Sequence, residues 1–149
     1  MKRTALAVTV VVVAGLAATA FATAGSPQGP PRRSLHLVST PQESVGFQPK
    51  HRELRAGDRV GGGDRISGDD TGIDRTTCTL LGKQEALCSA VVQLSKGTLT
   101  AEALVNPGER VSHYAVTGGT GAYAGANGSA VVTDIPNTVK TDIQITLLP

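Results

Sequence analysis

Among its 149 residues the chain has no tryptophan, two tyrosines, two phenylalanines and one methionine. So few rings exclude a carbohydrate platform, which works by stacking sugars on aromatic faces. A surplus of one charge is missing too. Residues 1–24 read as a leader that leaves with Lys2 and Arg3, so the 14 basic residues of the whole chain become 12, equal to the 12 acidic ones. A neutral domain excludes a nucleic-acid binder, which needs a clustered basic face. The two cysteines and three histidines show no ligand spacing, which excludes a zinc site. No segment from residue 35 to residue 149 carries a helical period. Past residue 20 no apolar run is long enough to span a bilayer.

What is present begins with that leader. Met1-Lys2-Arg3 is a short basic start, residues 4–20 are apolar, and Ala22-Thr23-Ala24 is an A-x-A site. The pattern is that of a secretory signal peptide cleaved after Ala24, and it predicts a secreted protein with no membrane contact after cleavage. Residues 25–33 are a Pro/Gly-rich linker, which leaves one domain at residues 34–149. The bias toward Ala, Gly, Val and Arg hints at a bacterium of high GC content.

The domain reads as strands and turns. Short strands are expected at residues 35–38 and 44–47, and Gly61-Gly62-Gly63-Asp64 is expected to break the chain. Further strands are expected at residues 73–81, 86–94, 98–105, 111–117, 129–134 and 139–147, with turns at Asp69-Asp70-Thr71-Gly72, Gly82-Lys83, Ser95-Lys96-Gly97 and Asn106-Pro107-Gly108. The last strand alternates most cleanly, with Val139, Thr141, Ile143, Ile145 and Leu147 on one face. About eight short strands with regular turns predict an all-β fold, an antiparallel barrel or sandwich. Nine residues separate Cys78 from Cys88, a spacing that suits two strands of one hairpin. Export would let a disulfide persist there, the alternative being two unpaired buried thiols.

Catalytic motifs are weak. Gly119-Thr120-Gly121-Ala122-Tyr123-Ala124 matches a dinucleotide fingerprint on paper, but glycines and a strand follow it where a helix is required. Asp70-Thr71-Gly72 matches the aspartic-protease triplet, yet Asp69 beside it would add a further like charge, and a turn explains it better. Ser112 and His113 are neighbours that face opposite sides of a strand, and no G-x-S-x-G elbow is present. Asn127-Gly128-Ser129 is an acceptor sequon. Glu102, His113 and Asp74 lie mid-strand beside apolar alternation and are the candidate acids or bases for a cavity.

The most specific stretch is A-V-T-G-G-T-G-A-Y-A-G-A-N-G at residues 115–128, whose glycines are Gly118, Gly119, Gly121, Gly125 and Gly128. Glycine at this density cannot be helical and reads as a tight, backbone-exposed connection between strands. The stretch closely resembles the glycine-rich signature of the dirigent and allene oxide cyclase superfamily. Gly63-Asp64-Arg65-Ile66, Asp70-Thr71-Gly72 before Cys78, and Gly97 before an alternating strand follow the family order. The resemblance implies an eight-stranded antiparallel β-barrel, usually trimeric, that works without cofactors on a small apolar molecule in its cavity. Such a barrel steers cyclisation or coupling toward one product by holding a reactive substrate in one conformation. Asn127 stands where dirigent signatures carry arginine, and Glu43 is the nearest counterpart of the cyclases' early glutamate. Cys78 resembles their cavity cysteine, a role a disulfide to Cys88 would close off. The expected function is stereoselective control of cyclisation or coupling; the alternative is a non-catalytic carrier of a lipophilic ligand or a binder of a cell-surface component.

Overall fold

Successive side chains of a strand point to opposite faces, so a stretch with every second residue apolar can bury one face and wet the other. The computed structural model describes residues 33–45 and 54–149, where eight such stretches form strands. They are β1 (Arg33–Val45), β2 (Arg59–Gly68), β3 (Gly72–Leu80), β4 (Ala86–Leu94), β5 (Gly97–Val105), β6 (Val111–Gly119), β7 (Gly128–Asp134) and β8 (Thr141–Leu147). Each pairs antiparallel with the next, and β8 returns to pair with β1. The result is a closed eight-stranded antiparallel barrel, the all-β fold that alternation and resemblance predict. The expected leader and all but the last residue of the linker lie outside the described residues; that last residue, Arg33, opens β1.

Two segments differ from expectation. The strand expected at residues 35–38 and the first two residues of that expected at 44–47 are joined in β1, whose register shifts between Pro41 and Glu43; residues 46 and 47 lie outside the described residues. Proline lacks the N–H that a ladder needs, so the strand bulges there and does not stop. The glycine run is no break either, because Gly61, Gly62 and Gly63 pair with Thr77, Thr76 and Arg75. Those glycines permit close approach. A Cβ at Gly63 would fall 1.6 Å from an Arg75 guanidinium nitrogen, which lies across the backbone at that point. At the other end of the chain, Val139 precedes β8 in an exposed turn where Asn137 takes a positive φ of 60°.

The inward faces form two apolar layers. The larger includes Leu37, Ile66, Leu99 and Leu147, with Leu37 fully buried. Burying a side chain of this kind contributes about 2 kcal/mol. The smaller is built on Leu80, Ala86 and Cys88, with Cys78, Val105 and Tyr114 packed against it. Cys78 and Cys88 are directly opposed on β3 and β4 and form a disulfide, as their spacing suggests. Closing so short a loop removes about 3 kcal/mol of unfolded-state entropy. It also removes the free thiol that the cyclase resemblance would have placed at Cys78.

Candidate functional site

Alternation aims one set of side chains from every strand into the barrel, and between the two layers they leave a cavity of about 250 Å³. Its wall is largely apolar, with Val92, Leu99, Val116, Val132, Ile143 and Ile145 among the contributors. Its polar lining groups are Ser39, Asp64, Asp74, Thr76, Tyr114 and Thr141. No lysine, arginine or histidine lines it among the described residues.

Asp64 on β2 and Asp74 on β3 are direct cross-strand partners, so the register sets two carboxylates side by side on the cavity wall. The Ser39 hydroxyl donates to Asp64 from β1. The Thr76 hydroxyl donates to Asp74 at 3.1 Å. Asp74 is 9% exposed. Burial above all pushes its pKa up to about 6; the Asp64 charge adds to the rise, and the Thr76 and Arg75 donors oppose it. A carboxyl tuned this way can hold or release a proton near neutrality. Tyr114 shares the wall, and burial together with the Asp74 charge raises its phenol above the ordinary value.

Because Asp74 binds its proton more tightly in the folded chain, the stability this supplies is complete below the ordinary value of 3.8 and is lost as the pH climbs to about 6. Asp74→Asn is expected to remove that loss, a relative gain of about 3 kcal/mol above the window. Urea denaturation of both proteins across the window measures it. Parallel profiles for variant and wild type would place Asp74 in water.

The three candidates read from sequence are not brought together. Asp74 lines the cavity. Glu102 and His113 lie on exposed positions of the outer face, on β5 and β6. The correction has a local cause: Leu99, Ala101 and Ala103 take the inward positions of β5, which turns Glu102 out, and inward Tyr114 does the same to His113. Asp64 was missed because it follows three glycines and reads as a turn residue. Its signal is Ile66, buried two residues further on the same face. Ser39 is signalled likewise by buried Leu35 and Leu37.

The glycine-rich stretch is not a plain exposed connection. Thr120 and Ala122 donate backbone N–H bonds to Thr98 and Lys96 carbonyls, both at 2.8 Å, which lays a 3-10 turn (Gly121–Tyr123) across one end of the barrel. Gly121 takes φ +61°, and a Cβ there would meet the Lys96 carbonyl at 2.6 Å, so glycine is required. The turn drives Tyr123 into the core at 1% exposure. The Tyr123 hydroxyl donates to Asp70 at 2.8 Å, the Thr71 N–H donates at 2.7 Å, and Ser95 donates through its hydroxyl and, at 3.3 Å, its backbone N–H. The Ser95 hydroxyl bond first, then those from Thr71 and Tyr123, hold the Asp70 carboxyl well below the usual range. Its stabilisation is therefore present above the ordinary carboxylate pKa and fades on acidification. The protease-like triplet thus closes one end of the barrel and does not line the cavity.

No protein-family model matches the chain, and no curated protein does. Solved structures do. A pyocyanin demethylase superposes with a TM-score of 0.69 at 20% identity, covering 78% of this chain and 100% of that one. A pterocarpan synthase dirigent protein gives 0.62 at 16% identity over 81% of this chain and 97% of its own. An exo-specific intermolecular Diels-Alderase gives 0.61 at 17% identity over 79% and 98%. At these identities the likeness establishes the fold alone, a closed eight-stranded antiparallel barrel.

Proposed function

We propose that this protein is a secreted barrel that takes a small apolar molecule into its cavity and directs its cyclisation or coupling. One observation carries the reading: an apolar cavity of about 250 Å³ whose wall sets Asp74 against Asp64. The cavity excludes water and restricts a flexible substrate to one folded shape, which selects among ring closures. The carboxylate pair supplies a proton donor and a base within one wall, with Asp74 tuned to about 6. The neighbours support the reading, because a pterocarpan synthase dirigent protein and a Diels-Alderase share this barrel. The intramural disulfide fits an oxidising compartment and supports export.

Native mass spectrometry of the protein from culture medium, with denaturing extraction of its cargo, tests this. The expected result is a retained apolar molecule whose precursor is converted by wild type and, at least tenfold more slowly, by Asp74→Asn. A molecule held and released unchanged would make the barrel a carrier. A protein that carries nothing and takes up no apolar probe would defeat both.

A further inference from the structure

The cavity has one electrical peculiarity. Asp64 and Asp74 face it from adjacent strands, and no basic side chain among the described residues faces it with them. The donors to Asp74 are the Thr76 hydroxyl and the Arg75 backbone N–H, both from its own strand. The donor to Asp64 is the neutral Ser39 hydroxyl. Arg65 follows Asp64 and Arg75 follows Asp74, but both are exposed on the outer face and neither lines the cavity; the Arg75 guanidinium lies over Gly63 and donates to the Asp74 backbone carbonyl at 3.4 Å. Tyr114 faces the same space and supplies the one aromatic ring of the lining among the described residues, a face that attracts positive charge.

Two acidic groups beside an apolar wall, with no basic side chain among the described residues to neutralise them, carry a desolvation cost that falls most on buried Asp74. A ligand can remove that cost if it brings its own positive charge on an apolar body. Resting on the reading of the cavity as a ligand site, we infer that the ligand class is a small organic cation, a protonated amine or a fixed-charge heterocycle, held with its charge at Asp64 and Asp74 and its apolar body against Val92, Val116 and Ile143. A neutral hydrocarbon of the same shape fills the wall equally well but leaves both carboxyls unpaired. For a reacting substrate the same pair stabilises positive charge that develops on the way to the transition state.

The groups that set the pH dependence are few. Asp64 faces Asp74 from β2 with Arg65 beside it on the outer face, Arg75 adjoins Asp74 on β3, Tyr114 faces it from β6, and the lining groups of β1 and β8, Ser39 and Thr141, carry no charge. The raised Asp74 pKa, which reflects burial and the Asp64 charge, agrees with a pair that lacks a counter-ion. Protonation of Asp74 below about 6 would weaken the attraction, so the preference for a cation should shrink on acidification.

A matched pair of probes decides the matter: 1-methylquinolinium, which carries a fixed positive charge, and 1-methylnaphthalene, its neutral isostere. Fluorescence titration at about pH 8 is expected to show the cation bound at least about tenfold more tightly, with the margin falling severalfold at about pH 4.5. Asp64→Asn/Asp74→Asn should abolish the margin and keep the neutral probe. The pH comparison on wild type stands in its place should that variant fail to fold. Equal or tighter binding of the neutral probe at about pH 8 overturns the inference and leaves the apolar cavity standing. Binding of neither probe overturns the inference together with the function proposed above.

Discussion

Tyr123→Ala is expected to lower folding stability by about 4 kcal/mol, as for a fully buried ring cut back to a methyl. The ring is 1% exposed and sits in the larger apolar layer with Leu37, Ile66 and Leu147. The turn that delivers it is held by backbone bonds to Lys96 and Thr98, so the end of the barrel cannot collapse to fill the gap. Arg33 stacks over the outer side of the ring at 4.8 Å and would lose its partner. Tyr123→Phe keeps the packing and removes one donor from Asp70, which retains Ser95 and Thr71, so its cost should be about 1 kcal/mol. Urea denaturation measures both. A loss for Tyr123→Ala no larger than for Tyr123→Phe would show that the ring does not plug the barrel.

The second large effect concerns the cavity. Ala90 and Ala101 are cross-strand partners on β4 and β5, and both line it. Their methyl groups leave much of the open space. Ala90→Phe/Ala101→Phe puts two rings into a volume of about 250 Å³. Affinity for any ligand of that space is expected to fall at least a hundredfold, a change of about 2.7 kcal/mol. The thermal midpoint should move little, since the rings enter existing space and displace no packed group. The bound fraction in native mass spectrometry, read beside the thermal midpoint, separates the outcomes. Retained affinity in a folded variant would put the ligand elsewhere on the molecule.

Much of this molecule is legible in sequence, and the failures share a physical cause. On β8, Ile143, Ile145 and Leu147 alternate with polar residues, and all three are buried. The disulfide follows from two cysteines placed symmetrically about a tight hairpin. Alternation was ambiguous where small or mixed residues erase the contrast between faces. Glycines at positions 61–63 have no side chains to show a period, so the sequence of β2 reads as a break and hides Asp64 with it. Leu104, 60% exposed, shares an outward face with Glu102 and hides which face of β5 is wet. In β1 a proline at a bulge imitates a strand end.

Local pattern alone shows that this chain is built of strands, where most of its turns fall and that its two cysteines suit one hairpin, because these depend on residues within a few positions of one another. Tertiary structure decided the rest. Closure of β8 onto β1 encloses the inward faces and makes a cavity of them. Register places Asp64 opposite Asp74 on the cavity wall, where Asp74 is buried. Folding the glycine-rich turn under the barrel brings Tyr123 to Asp70, 53 residues away. Burial and charge proximity, which tune a carboxyl, are properties of that closed arrangement, and no local pattern in the chain encodes them.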